Sequence, residues 1–160
     1  MTDFFKSSNF KIALLKFCLF FVGILAADQA IKAVFLDGFH FEGEFISLIL
    51  TFNKGVAFSM FAFLGENLKF IQIVIILGLL TYLFYEKKLF LNHAVEFGIL
   101  AGAGFSNIID RFIHGGVVDY VFWHKWFEFA VFNFADVMID FAVVILIIRM
   151  MFDKNLKGKK

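Results

Sequence analysis

The sequence predicts an all-α integral membrane protein with four transmembrane helices, a small extracytoplasmic β-cradle and an interfacial aromatic loop or helix. Three observations carry that prediction. The 160 residues are 61% hydrophobic, include 27 Phe and have a mean hydropathy of +0.85. A soluble fold of this size lacks the interior to hide so much apolar surface. Four apolar segments of helical length recur along the chain. Lys and Arg are distributed unevenly about those segments, as they are in membrane proteins of fixed orientation.

The first helix is predicted at about 12–35. Lys6, Lys11 and Lys16 precede an apolar run at 17–27 that ends in small residues, a pattern shared with cleaved signal peptides. Asp28 and Lys32 follow at once, and three further apolar segments hold the chain in the membrane, so the segment reads as a retained helix. The second helix is predicted at about 69–86, the third at 89–111 and the fourth at 135–152. A bilayer core of roughly 30 Å takes about 20 residues to cross. The uncharged runs are shorter than that, so Glu96 and Asp140 belong at helix ends or facing the protein interior. Gly98 and Gly102 form a GxxxG, followed by Ala103, Gly104 and Ser106, which lets a neighbouring helix come close. The sequence has no proline, so no helix is kinked by one. A chain of this length reads as a single membrane-embedded domain, 1–160.

Ten of the 15 basic residues (Lys6, Lys11, Lys16, Lys87, Lys88, Arg149, Lys154, Lys157, Lys159 and Lys160) fall on one side of this arrangement. That side, with both termini and the short turn at 86–88, is predicted to be cytoplasmic. The two long connections, about 36–68 and 112–134, then face outward. In the first, Phe39, Phe41 and Phe45 alternate with Glu42 and Glu44, the run 46–52 is rich in β-formers, and Asn53 and Gly55 mark a turn. A small surface sheet is expected there, with an edge able to take an extended peptide by strand addition. The second carries Tyr120, Phe122, Trp123, Trp126, Phe127 and Phe129, an aromatic belt expected as a short surface helix or loop.

A net charge of +1 gives no reason to expect a nucleic-acid partner. Cys18 has no partner for an internal disulfide. His40, His93, His114 and His124 are scattered, without HExxH or a Cys/His cluster, so neither metal nor cofactor is expected. What needs explaining is the acids. With the predicted topology, the first helix ends at Asp28, the third ends at Asp110, the fourth starts at Asp136, and Asp119 lies in the loop between the last two. All four reach one depth on the outer side. Asp28 has Lys32 four residues on, and Asp110 is beside Arg111, which is expected to keep it ionised. Asp119 and Asp136 lack a local cation. Spacing leaves several pairings open and favours Asp119 with Asp136. Two carboxylates in close contact share a proton, so one can activate a water while the other polarises a carbonyl. That is peptide hydrolysis without metal or covalent intermediate. Asn107, Asp110 and Arg111 share one helix face, and Asn133 is positioned to cap the fourth helix. Two other classes fit less well. An ion pathway wants acids near mid-membrane, where only Asp140 and Glu96 qualify; a scaffold subunit would use the aromatic loops as partner surface.

Five stretches resemble the lipoprotein signal peptidase (signal peptidase II) family of membrane aspartic peptidases. They are Asp28-Gln-Ala-Ile-Lys32, Asn53-Lys-Gly55-Val-Ala57-Phe58, Ser106-Asn107-Ile-Ile-Asp110-Arg111, Gly116-Val-Val-Asp119-Tyr120 and Phe132-Asn133-Phe-Ala135-Asp136. They occur in the family's order, and the resemblance covers roughly residues 10–150. The resemblance implies Asp119 and Asp136 as the catalytic pair. It implies Asn53, Gly55, Asn107, Arg111 and Asn133 as substrate-binding, with Asp28, Lys32 and Asp110 as supports. It implies a prolipoprotein substrate carrying diacylglycerol on its cysteine, cut just before that cysteine. It also implies membrane lipids and globomycin-type inhibitors as partners, and a bacterial cytoplasmic (inner) membrane location with the active site at the extracytoplasmic face. Asp140 and Glu96 match no motif residue.

Overall fold

The computed structural model describes residues 5–55, 62–65 and 67–152. Val56, Ala57, Phe58 and the basic residues of the C-terminal tail, Lys154, Lys157, Lys159 and Lys160, lie outside the described residues. In order, the elements are α1 (Ser8–Leu36), β1 (Ile46–Asn53), a 3-10 turn (Ala62–Leu64), α2 (Asn67–Tyr85), α3 (Lys87–Ile113), β2 (Val117–Trp123) and α4 (Phe134–Phe152).

α1 starts where the Ser7 hydroxyl accepts from the Phe10 amide at 3.2 Å, and it closes against Gly38, whose φ of 98° suits a residue without a Cβ. Its 29 residues carry Asp28 inside the helix, two turns before its end. α1, α2 and α3 are each long and apolar enough to cross a membrane. α4 has 19 residues and carries Asp136, Asp140 and Arg149 among them. The outward faces of these helices are apolar: Leu19 is 66% exposed and Val74 68%. In water such surface would be strongly unfavourable, and in lipid it is solvated.

α3 is the hub, packed against α1, α2 and α4. It is buried along most of its length, with small and polar residues interleaved with large apolar ones such as Phe90, Phe97, Ile99 and Ile108. Gly98 and Gly102 set the approach to α1. A Cβ on Gly98 would stand 2.6 Å from the Phe17 carbonyl oxygen, and one on Gly102 would stand 2.5 Å from that of Phe21. Both contacts are with backbone, which cannot swing aside. Although the chain has no proline, α3 breaks its helical geometry once, at His93 (φ −127°, ψ 25°). Near that break Glu96, unassigned by sequence, pairs with Arg149 of α4, and Arg149 also donates to the Asn92 carbonyl at 2.9 Å. This ties α3 to α4 at the end remote from the carboxylate cluster.

β1 and β2 form a two-stranded antiparallel sheet running from Ile46↔Trp123 to Asn53↔Val117. The register shifts between Leu48 and Thr51, so β1 holds one more residue there than β2 does. The expected surface sheet is present, with two differences. Of the alternating Phe residues only Phe41 joins it, in a bridge to Leu48. In the second connection the loop alternative holds only for residues 124–133, which carry Trp126, Phe127 and Phe129 and bridge Phe132 to Val121, whereas Tyr120, Phe122 and Trp123 lie on β2. Its aromatic, β-branched sequence reads equally as a membrane belt, and pairing with β1 selects the strand.

Gly102→Ala is expected to cost about 1–3 kcal/mol of stability through backbone overpacking. It should lower the melting temperature of detergent-purified protein, whereas Gly78→Ala, with nothing within 4 Å, should leave it unchanged or raise it slightly.

Candidate active site

The site is built on a buried ammonium. Lys32 of α1 is 1% exposed and lies 2.6 Å from Asp28 and 2.6 Å from Asp110. Both carboxylates are fully satisfied. Asp28 accepts from the Ser106 hydroxyl at 2.6 Å and from the Ala135 amide at 2.9 Å. Asp110 accepts from Gln29 at 2.8 Å and from the Val118 amide at 3.1 Å. Lys32 therefore joins α1 to α3, Asp28 reaches the start of α4, and Asp110 reaches the start of β2. The cation held by Asp110 is Lys32, not its sequence neighbour Arg111. Arg111 points into the 53–55 turn and donates to the carbonyls of Gly55 and Asn53. That turn is an Asx turn, with the Gly55 amide donating to the Asn53 side chain at 2.9 Å.

Lys32 also donates to the Asn107 side-chain oxygen at 2.8 Å. This fixes which way the Asn107 amide faces, and its Nδ2 then donates to Asp136 at 3.0 Å. Asp136 sits in the first turn of α4, held by a reciprocal cap. Its own amide donates to the Asn133 side-chain oxygen at 2.9 Å, and the Asn133 amide donates back to its carboxylate at 3.2 Å. The free amides of this helix start are accounted for in turn. Phe134 donates to the Tyr120 hydroxyl at 2.9 Å, and Ala135 donates to Asp28. Burial pushes the Tyr120 hydroxyl up to about 12, so it stays neutral beside this cluster.

Asp119 reaches the same place from β2, paired with Thr51 across the sheet. It is 1% exposed and accepts from Asn133 at 2.6 Å and from Asn53 at 3.0 Å. Asn133 therefore holds both carboxylates, Asp119 through its side chain and Asp136 through its backbone. Neither acid has a cation within ion-pair distance among the described residues. Burial first, and then the charge of Asp136, raise the Asp119 carboxyl to about 7, against the pull of Asn53 and Asn133.

A cavity of about 470 Å³ opens over this pair and is lined by Asn53, Gly55, Asn107, Arg111, Asp119 and Asp136, among others. Asp28, Lys32 and Asp110 do not line it; they lie behind its wall. Asp140, one turn along α4, is exposed and does line it. The structure thus brings all ten of the residues singled out from the sequence into one network. Ser106, Gln29 and the Val118 and Ala135 amides were missed. Ser106 had a readable signal, since it lies four residues before Asp110 on the same helix face. Gln29 had none, and the amides belong to the backbone.

A helical membrane protein with two carboxylates over an open cavity, one of them stripped of solvent, has the build of a membrane aspartic peptidase. Relatives narrow the class. The model of the signal peptidase (SPase) II family matches residues 20–152. A lipoprotein signal peptidase of Wolinella succinogenes is 56% identical over 145 residues, 91% of this chain and 99% of that one. One of Helicobacter pylori (strain Shi470) is 54% identical over 147 residues, 92% and 94% of the two chains. A bacterial membrane enzyme solved by the in meso method at 2.3 Å resolution superposes with a TM-score of 0.72 at 29% identity, over 89% of this chain and 92% of that one. The chain belongs to the signal peptidase II family, and it is a membrane peptidase.

Lys32→Met would leave Asp28 and Asp110 buried without their cation, at a cost of about 3–5 kcal/mol. Folded yield from membranes should collapse in that variant, while Asp140→Asn, an exposed change, should fold as the parent does. Size-exclusion profiles of the purified variants check both.

Proposed function

We propose that this chain removes the signal peptide from lipid-modified prolipoproteins, using Asp119 and Asp136 as a catalytic dyad. Its relatives are named lipoprotein signal peptidases, and the expected cut lies just before the diacylglyceryl cysteine. The observation that carries the dyad is the shared Asn133, which holds both carboxylates at the floor of one cavity. With Asp119 raised to about 7, the pair keeps one proton near neutral pH. The charged member takes a proton from a water as it attacks the scissile carbonyl. The protonated member donates to the carbonyl oxygen as charge develops there, and a proton then passes to the departing amine. Either aspartate can fill either role, because they titrate together.

Asn53, Gly55, Asn107, Arg111 and Asn133 surround the dyad. The amides of Asn53, Asn107 and Asn133 donate to its carboxylates. Arg111 braces the 53–55 turn that forms the cavity's outer lip, leaving backbone groups of that turn to meet the substrate. Asp28, Lys32 and Asp110 support the site from behind.

The remaining assignments follow from charge and surface. The whole chain acts as one domain, with four spans counting α4. Its termini and the 86–88 turn face the cytoplasm of a bacterial inner membrane. The sheet and its aromatic residues then lie at the extracytoplasmic interface, where Phe45, Trp126 and Phe127 are exposed to headgroups. Lipids contact the apolar outer faces. Globomycin-type inhibitors would occupy the same cavity.

Asp119→Asn and Asp136→Asn should each insert and fold but lose about 10²–10⁴-fold in cleavage of a diacylglyceryl prolipoprotein in membranes. Undiminished cleavage by either variant would end the dyad reading.

A further inference from the structure

α2 is apolar from Phe70 to Tyr85 except for Gln72 and Thr81. The Thr81 hydroxyl is satisfied within its own helix, donating to the Leu77 carbonyl at 2.7 Å. Gln72 differs: its side-chain oxygen is buried and has no hydrogen-bond donor among the described residues. An unpartnered buried carbonyl costs about 1–3 kcal/mol, and an amide in a membrane-spanning segment that serves no purpose is selected against on those grounds. Its position supplies the purpose. Gln72 lines the 470 Å³ cavity together with Asp119 and Asp136. It also lines a second, mostly apolar groove of about 580 Å³, formed by Leu64, Leu68, Ile71, Ile75, Ile76 and Gly104. Among the described residues it is the one common to the two, at the place where a polar cleft passes into an apolar one.

We infer that Gln72 is a substrate-binding residue whose side-chain amide hydrogen-bonds one backbone peptide group of the prolipoprotein where the chain passes from the groove to the dyad. The chemistry fits such a ligand. An extended peptide entering an apolar groove must have its N–H and C=O groups satisfied by protein, because lipid offers nothing. A carboxamide offers one acceptor and two donors at the end of a flexible stem, so turning about its last torsion presents either end to the peptide. Ile71 and Ile75 flank Gln72 on the same helix and would contact the apolar side chains on either side of that peptide group. The inference rests on the reading of the cavity as the place of cleavage.

The test uses the full-length enzyme and a synthetic diacylglyceryl lipopeptide spanning the cleavage site, made as a panel. In each member one backbone amide other than the scissile bond is replaced by an ester, which removes the N–H and weakens the carbonyl acceptor. Wild type is compared with Gln72→Met, which keeps the length and apolar body but can neither donate nor accept. The parent peptide should be cut by Gln72→Met with kcat/KM reduced about 3–10-fold, mostly through KM. One ester position should impair wild type but not Gln72→Met. The melting temperature of Gln72→Met should equal or exceed that of wild type, since the orphaned oxygen is gone. A kcat/KM within twofold of wild type would overturn the inference. So would a loss that adds to the ester effect equally at every position, or a lowered melting temperature with no position-specific coupling. Asp119→Asn, run alongside, keeps the two readings apart. Cleavage persisting there counts against the dyad, while the ester coupling reads Gln72 from wild-type turnover alone.

Discussion

One buried ammonium between two carboxylates is the constraint on which the rest depends. Lys32 lies 2.6 Å from both Asp28 and Asp110, almost wholly out of reach of solvent. Taking three charges out of water is costly, and their mutual attraction offsets that cost only when each remaining lone pair is met. Here each is met, and by groups from different parts of the chain: Ser106 and Gln29 from two helices, the Val118 amide from β2, the Ala135 amide from α4. An arrangement that is satisfied only when α1, α3, α4 and the sheet are all in place specifies their relative positions strongly. Apolar contacts between helices in lipid do this poorly, because lipid tails compete for them.

The same node reaches the chemistry through one further hydrogen bond. Lys32 orients Asn107, and Asn107 holds Asp136. Asn133 then couples Asp136 to Asp119 while capping α4. The acids proposed as catalytic are therefore distinguished from the supporting ones by what they face. Asp28 and Asp110 face a cation and fixed donors behind the cavity wall. Asp119 and Asp136 face amides, each other and an open cavity. Carboxylates of the same type, drawn from distant parts of the chain, are thereby placed in different environments.

Much of this was legible in the residues, and the failures have physical causes. Hydropathy exposed the helices because lipid imposes a single strong rule on them. Gly98 and Gly102 announced the close approach that makes α3 the hub. Asp119 and Asp136 stood out because no cation accompanies them locally. Assigning Arg111 to Asp110 failed because adjacent residues on a helix point about 100° apart, and the true partner comes from another helix. β2 was hidden because Val117–Trp123 suits a membrane belt as well as a strand, and only its pairing with β1 decides. Asp28 is tolerable inside α1 because Lys32 and the Ser106 hydroxyl meet it there. Asp140 gains a position on the cavity wall, with no partner among the described residues that explains it.

In the proposed mechanism Asp119 and Asp136 work as one unit holding a single proton. The pH dependence of kcat/KM on a lipidated substrate reads that proton. The Asp119 carboxyl is raised to about 7 by burial and by Asp136. The proton that must polarise the scissile carbonyl is therefore present below that pH and lost above it. Activity should fall as pH rises through about 7, with tenfold loss per pH unit on the alkaline limb. A rate that stays level from about pH 5 to pH 9 would contradict a shared proton, and with it the account of how this site works.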